Sequence, residues 1–193
     1  MAAQPFAGVL VPVLTPFTPA GEPDAGRFVA FCRWLLDQGA DGLAIFGTTS
    51  EANSMSAGER MALLDRLIAS GVPAARLMPG AGACSVTEAA TLIRHAVGHG
   101  VGGVLMLPPF YYKGMDDNGL FAFFAGVIDR VGSAALRMYL YHIPQVTAVP
   151  IPADVIARLV AAYPGIVAGL KDSAGELDLN NAPVVLTDAP AKG

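Results

Sequence analysis

Ile166-Val167-Ala168-Gly169-Leu170-Lys171-Asp172-Ser173-Ala174-Gly175 reads as an apolar strand that ends by presenting one lysine among small polar residues. Lysine is scarce in this chain: of its 12 basic residues nine are arginine, and only Lys113, Lys171 and Lys192 are lysine. At the end of a Val/Ile/Leu run an ammonium is partly desolvated, which penalises the charged form and favours a nucleophilic amine. The structural alternative is a lysine that packs its stem on the strand and carries its head out to water.

Working outward from that strand, the chain has 193 residues, of which 53% are hydrophobic and only 15% charged. Such a composition excludes disorder for most of the chain and calls for a compact core with strands buried on both faces. The net charge of -4 and the absence of Lys/Arg blocks leave no footprint for nucleic acid or an anionic membrane, so a small ligand is expected. No apolar run approaches the ~20 residues of a membrane span, and Met1-Ala2-Ala3-Gln4-Pro5 lacks the form of a secretion signal. The expectation is a cytoplasmic protein. Cys32 and Cys84 form no disulfide framework or CxxC motif, and both read as small buried hydrophobes.

Upstream, apolar runs and helical periods alternate. Gly8 to Phe17 reads as a first strand; Phe28, Phe31, Cys32, Leu35 and Leu36 mark one face of a helix over Ala25–Gln38, stopped by Gly39. Asp41 to Gly47 is a second strand that runs into Thr48-Thr49-Ser50-Glu51. Ser56-Ala57-Gly58-Glu59 and Ser85-Val86-Thr87-Glu88 have the form of capping boxes, each opening a helix, with a short third strand over Leu77–Gly82 between them. Gly103 to Pro109 is a fourth strand, followed by a helix from Leu120 to Val131. Leu136 to Pro144 is a fifth, followed by a helix opened by Pro152, and Ile166 begins the sixth. Six βα units mean a parallel sheet with helices outside it.

An open dinucleotide-binding sheet and a closed (β/α) barrel both accept that pattern. For the first, Gly80-Ala81-Gly82-Ala83-Cys84-Ser85 is the candidate phosphate loop, and its third glycine is missing. A barrel puts the carboxyl ends of its strands on one rim. Those ends deliver Thr48 and Thr49, Tyr111, Tyr141 and Lys171: an amine, two phenols and two hydroxyls, the groups that imine chemistry needs as nucleophile, proton carriers and carboxylate donors. Each alone has a structural reading, as a helix cap or as packing at a barrel mouth. His95 and His99, four apart on a helix, could supply two zinc ligands, but no third ligand is in view and no metal is expected. His142 follows Tyr141 and points the other way along the strand, so it reads as packing.

The order Gly-Thr-Thr-Ser-Glu (47 to 51), Pro-Pro-Phe-Tyr-Tyr (108 to 112), Tyr-His-Ile-Pro (141 to 144) and Gly-Leu-Lys-Asp-Ser (169 to 173), each after a strand, resembles the dihydrodipicolinate synthase and N-acetylneuraminate lyase family of pyruvate-dependent class I aldolases. The resemblance covers residues 8 to about 175 and implies an α/β fold of the (β/α)8 TIM-barrel type. It implies that Lys171 forms a Schiff base with pyruvate or a pyruvate-derived keto acid and that Tyr141 is the general acid/base. Thr48 would relay a proton to Tyr111, which in this family reaches into the neighbouring subunit's site. Thr49, with backbone N–H groups, would hold the substrate carboxylate beside Ser50, which stands where many relatives have glycine. No metal or organic cofactor is implied, and a homo-oligomer, a dimer of dimers, is.

Two departures modify the expectation. The synthases carry an arginine five residues after the strand-five tyrosine, where this chain has Val146. An apolar side chain cannot pair with a carboxylate, which favours a lyase acting on a 2-keto-3-deoxy sugar acid over 4-hydroxy-tetrahydrodipicolinate synthase activity. The second departure is the tail. Residues 1–175 read as a partial barrel domain of about six βα units, against the eight of a complete one. Residues 176–193 show no helical spacing, and Val184-Val185-Leu186 is at most one short strand. The expectation is a C-terminally shortened barrel whose first and sixth strands are unpaired edges, catalytically weak or reduced to binding a small keto acid.

Overall fold

The computed structural model describes residues 6–174 and 185–187. In chain order its main elements are β1 (Leu10–Pro12), α1 (Ala25–Asp37), β2 (Gly42–Ala44), α2 (Ala57–Ala69), α3 (Val86–Gly98), β3 (Val104–Met106), α4 (Asp117–Val131), β4 (Met138–His142), α5 (Pro144–Thr147), α6 (Ala153–Ala162), β5 (Val167–Asp172) and β6 (Val185–Thr187). Strands and helices alternate as the periodicity predicts. The strands form a two-stranded sheet, β1-β2, and a four-stranded sheet, β3-β4-β5-β6, so the described residues do not close into one barrel sheet. The chain divides into two compact units, Met1–Gly80 with Leu92–Val104, and Ala81–Thr91 with Leu105–Gly193.

In the first unit β1 and β2 run parallel, Leu10 opposite Gly42 and Pro12 opposite Ala44. Asp24 caps α1 by accepting a hydrogen bond from the Arg27 amide, and the helix buries Phe28 and Cys32. The Phe28 ring stacks on Phe46 with 5.7 Å between centroids. The first capping box is present in full, with Ser56 and Glu59 each satisfying the other's backbone N–H at the head of α2. The expected third strand is a correction. Leu77 makes one isolated parallel bridge to Leu43, and the Met78 and Gly80 amides donate to Leu43 O at 2.9 Å and Ile45 O at 2.7 Å. On the opposite edge Leu77 O accepts from the Gly102 amide at 3.2 Å and the Ala81 amide donates to Leu105 O at 2.9 Å, but Pro79 has no N–H to offer between them, so the segment is extended and bonded without becoming a continuous ladder strand.

In the second unit β4 is buried throughout, and β4 and β5 pair in parallel with Tyr141 opposite Lys171 and His142 opposite Asp172. Helix α4 starts at Asp116, whose side chain accepts from the Gly119 amide, and buries Leu120, Phe123, Phe124, Val127, Ile128 and Val131 on one face. Each such burial contributes about 1.5–3 kcal/mol relative to exposure. α4 packs against α6, which buries Val155, Ile156 and Leu159.

The sixth expected strand, β5, is not an open edge. β6 pairs with it in parallel, Leu170 opposite Val185 and Asp172 opposite Thr187. Three residues of the tail therefore serve as a ladder partner, while Gly175 to Val184 and Asp188 to Gly193 lie outside the described residues. At the other end the expectation fares differently: β1 is only half-buried, β2 is its sole ladder partner among the described residues, and flanking Val9 and Leu14 are exposed. Among the described residues no helix is long and apolar enough to cross a membrane.

Candidate active site

Parallel pairing brings Lys171 beside Tyr141. Facing residues of adjacent strands lie about 5 Å apart along the hydrogen-bond direction, so their side chains emerge on the same face as neighbours. Lys171 Nζ donates to Tyr141 Oη across 3.5 Å and sits 4.5 Å from the Tyr141 ring centroid. The lysine is half-buried and the tyrosine buried at 4% exposure. A cation over a phenol ring gains from the ring quadrupole, and a phenol beside an amine can exchange a proton with whatever the amine attacks.

The strand ends that carry this pair are held by a turn that sequence periodicity does not reveal. Pro144 opens α5 directly after β4, and Ala148 closes it in the left-handed region at φ 51°. Thr147 is buried; its hydroxyl bridges Ile143 O at 3.1 Å and accepts from the Val149 amide at 3.2 Å. Gln145 Nε2 donates to Ser173 O at 2.9 Å, tying this turn to the residues just past Lys171. Ser173 N in turn donates to His142 O at 2.9 Å. His142 is buried with Nδ1 accepting from the Ile151 amide at 3.1 Å, which assigns its proton to Nε2 and fits the packing role expected for it. Asp172 is also buried, one carboxylate oxygen accepting from the Ala174 amide at 2.9 Å.

Tyr111 lies in the same unit, 75% exposed, its ring edge-on to Tyr112 at 5.4 Å. Two residues position its loop. The Tyr111 amide donates to Cys84 Sγ at 3.4 Å, so Cys84, expected to be a buried hydrophobe, is half-buried and has an acceptor's role. Lys113 Nζ donates to Phe110 O and, at 2.7 Å, to Thr147 O, joining the loop after β3 to the end of α5. The available sequence signal for Lys113 was its rarity as a lysine in an arginine-rich chain.

Thr48, Thr49 and Ser50 belong to the first unit. They form a turn in which Thr48 O accepts from the Glu51 amide at 3.0 Å and Gly47 O from Ala52 at 3.2 Å. The turn is bracketed by two non-glycine residues in the left-handed region, Phe46 at φ 57° and Glu51 at φ 53°. Each such conformation costs of order 1–3 kcal/mol and persists only where the surroundings impose it. Thr48 and Thr49 are exposed. Ser50 is wholly buried, and its hydroxyl donates to Val13 O, anchoring the turn to the segment after β1.

The glycines of the candidate phosphate loop have packing reasons. A Cβ on Gly80 would fall 2.0 Å from Phe46 O, and one on Gly82 would fall 3.0 Å from the Leu107 side chain. On the outer faces of α2 and α3 the structure adds what the sequence did not show: Asp65 reaches both His95 and His99, a third potential ligand for that pair.

The model of the dihydrodipicolinate synthetase family matches residues 5–189. An "uncharacterized DapA-like lyase" of Chloroflexus aurantiacus is 38% identical over 88% of this chain and 56% of its own length. A 4-hydroxy-tetrahydrodipicolinate synthase of Rhizobium meliloti is 34% identical over 90% of this chain and 57% of its own. The chain thus spans a little over half the length of these curated relatives. Among solved structures, dihydrodipicolinate synthase from Agrobacterium tumefaciens C58 matches with a TM-score of 0.84 and 38% identity, over 88% of this chain and 59% of that one. A prophage protein of the same family from E. coli K12, solved with pyruvate, matches with a TM-score of 0.76 and 29% identity, over 87% and 55%. Given the family match over nearly its whole length, the chain belongs to the dihydrodipicolinate synthetase family.

Proposed function

We propose that this chain carries the imine-forming centre of a pyruvate-dependent class I aldolase or lyase, with Lys171 as nucleophile and Tyr141 as its acid/base partner. The carrying observation is the pair itself: Nζ and Oη 3.5 Å apart on adjacent parallel strands, one residue in register with the other.

The neutral amine attacks the keto carbon, forming the C–N bond as the carbonyl electron pair moves to oxygen. One proton passes from the attacking nitrogen to this oxygen, and Tyr141 supplies the second, so that the oxygen leaves as water and Tyr141 is left as the phenolate. The protonated C=N is an electron sink. When the C3–C4 bond of a 2-keto-3-deoxy acid breaks, its electron pair becomes the enamine and the C4 hydroxyl gives its proton to the Tyr141 phenolate, releasing an aldehyde. Protonation of the enamine at C3 and hydrolysis of the imine return pyruvate and the free amine. Thr48 as proton relay to Tyr111, and Thr49 with Ser50 as the carboxylate-binding turn, enter this reading through the order of the family motifs. The burial of the Ser50 hydroxyl supports a share in shaping that turn. The exposure of Tyr111 and Tyr112 suits a residue that completes a neighbouring subunit's site in a homo-oligomer.

For the substrate, Val146 supports cleavage of a 2-keto-3-deoxy acid: it stands on α5, 59% exposed, with no charge to offer a carboxylate. The synthase reading is favoured by the names of the relatives at 30–34% identity. Turnover with aspartate semialdehyde and pyruvate, measured against release of pyruvate from 2-keto-3-deoxy acids, decides between them. The imine itself is tested by borohydride reduction with pyruvate and peptide mass mapping. An adduct on Lys171 is expected; one on Lys113 or Lys192, or pyruvate binding with no adduct, would overturn the assignment.

A further inference from the structure

Away from strand ends, the first unit gathers three side chains with metal-ligand chemistry. Asp65 on α2 places Oδ1 2.8 Å from His95 Nε2 and 2.7 Å from His99 Nε2. The two imidazoles are four residues apart, on the last turn of α3 and just past its end, where the His99 amide still donates to His95 O at 3.3 Å. The rings meet edge-on at 4.8 Å between centroids. All three ligand atoms lie within 4.8 Å of one another. One carboxylate oxygen serves both rings, and hydrogen bonding satisfies only one of them. His95 Nε2 is closed off from solvent and close to Oδ1, but it is out of line, so it has no hydrogen-bond partner. A buried ring nitrogen left this way costs free energy that a bound cation would recover.

We propose that Asp65, His95 and His99 form a binding site for a divalent first-row transition metal of the zinc type, linking α2 to α3. Two imidazoles and one carboxylate are a borderline donor set, suited to zinc, cobalt or nickel, whereas magnesium and calcium favour oxygen-only sites. Zinc–ligand bonds of about 2.0–2.1 Å at tetrahedral angles place ligand atoms roughly 3.3 Å apart. That spacing falls between the close Asp–His separations and the 4.8 Å span of the cluster, so rotation of side chains that are a quarter to a half exposed reaches it. Three protein ligands leave a fourth position for water or a donor from another molecule. The site links two helices and is assigned no part in imine chemistry.

The test is titration of the purified full chain with Zn2+ and with Co2+, read by visible absorption, by competition with a chromophoric chelator and by thermal unfolding. One equivalent is expected to bind, with cobalt d–d bands of a nitrogen/oxygen site and a Tm that rises with the logarithm of free metal. His95→Ala, His99→Ala and Asp65→Asn should each weaken binding at least about tenfold and flatten the Tm response, with the circular dichroism spectrum unchanged. Cys32→Ser/Cys84→Ser should bind as the parent does. Absence of saturable binding would overturn the proposal and leave the cluster a hydrogen-bonded surface group. Retention of binding in the His95→Ala/His99→Ala double variant, or sulfur charge-transfer bands that vanish with the cysteines, would overturn it too.

Discussion

Lys171 with Tyr141, and Asp65 with His95 and His99, are clusters of similar reach in sequence: the partners stand 30 residues apart in the first, and 30 and 34 in the second. The first pairing was legible from the sequence, whereas in the second only His95 with His99 was, and Asp65 was not. Adjacent strands of a parallel sheet share a pleat, so two strand-end residues meet once strand order and register are known, and a regular βα alternation supplies both. Side chains on neighbouring helices meet only if each helix is rotated and crossed correctly, and ridge-in-groove packing leaves that open by tens of degrees. Sequence reading therefore reaches which strand-end side chains meet, and misses contacts between neighbouring helices such as that of Asp65 with the two histidines.

The largest expected effect tests the legible cluster. Lys171→Ala removes the amine proposed as nucleophile, and any pyruvate-dependent turnover should fall by at least ~10³-fold with loss of the borohydride-trapped adduct. Residual trapping at Lys113 would show that a strand-end position is no guide. Tyr141→Phe keeps the ring and its contact with Nζ but removes the hydroxyl 3.5 Å away. Turnover should drop by about 10²–10⁴-fold while the adduct still forms, more slowly. Wild-type turnover in that variant would reduce the tyrosine to a packing partner.

Smaller effects belong to residues that hold the site. In Cys84→Ala the Tyr111 amide loses the sulfur that accepts from it at 3.4 Å. Sulfur is a weak acceptor, so kcat should fall only a few-fold, in the range of one modest hydrogen bond. A loss as large as that of Tyr141→Phe would mean that this loop, more than the strand pair, sets the chemistry.

The helices were readable because their apolar faces, capping residues and terminal glycines agree. α1 was placed at Ala25–Gln38 and ends at Asp37, and the Ser56 to Glu59 box appears as written. Pro79 defeated the third strand, because apolar content registers no missing donor. α5 defeated the reading after β4, since four residues are too few to show a helical period. β6 was half-seen: an apolar triplet among prolines and asparagines gives no sign of the strand it will pair with, and β5 therefore looked like an open edge. Thr48 and Thr49 were found by motif, whereas the burial of Ser50 depends on Val13 O, a partner 37 residues earlier that no local pattern announces.

Cys32 sharpens the comparison from the third kind of position, the inward face of a helix. Its chemistry could make it a ligand or a nucleophile, yet helical spacing alone assigned it to the core, and it is fully buried on α1. Burial pushes its thiol pKa from 9.0 up to about 12, because the thiolate would lose its hydration. In the folded chain at pH 8 a thiol reagent should therefore modify half-buried Cys84 quickly, and Cys32 only as fast as the protein opens. The same shift sets a pH dependence. The folded state holds the proton more tightly than the unfolded state, so the contribution of Cys32 is fully present below about pH 9 and is lost as pH rises toward 12. Over that window the parent should lose stability faster than Cys32→Ala by up to about 1.4 kcal/mol per pH unit, with no difference in slope near neutrality. Parallel slopes from pH 9 to 12, or equal labelling of both cysteines at pH 8, would show that α1 does not seat Cys32 in the core and that inward helix positions are no more legible than outward ones.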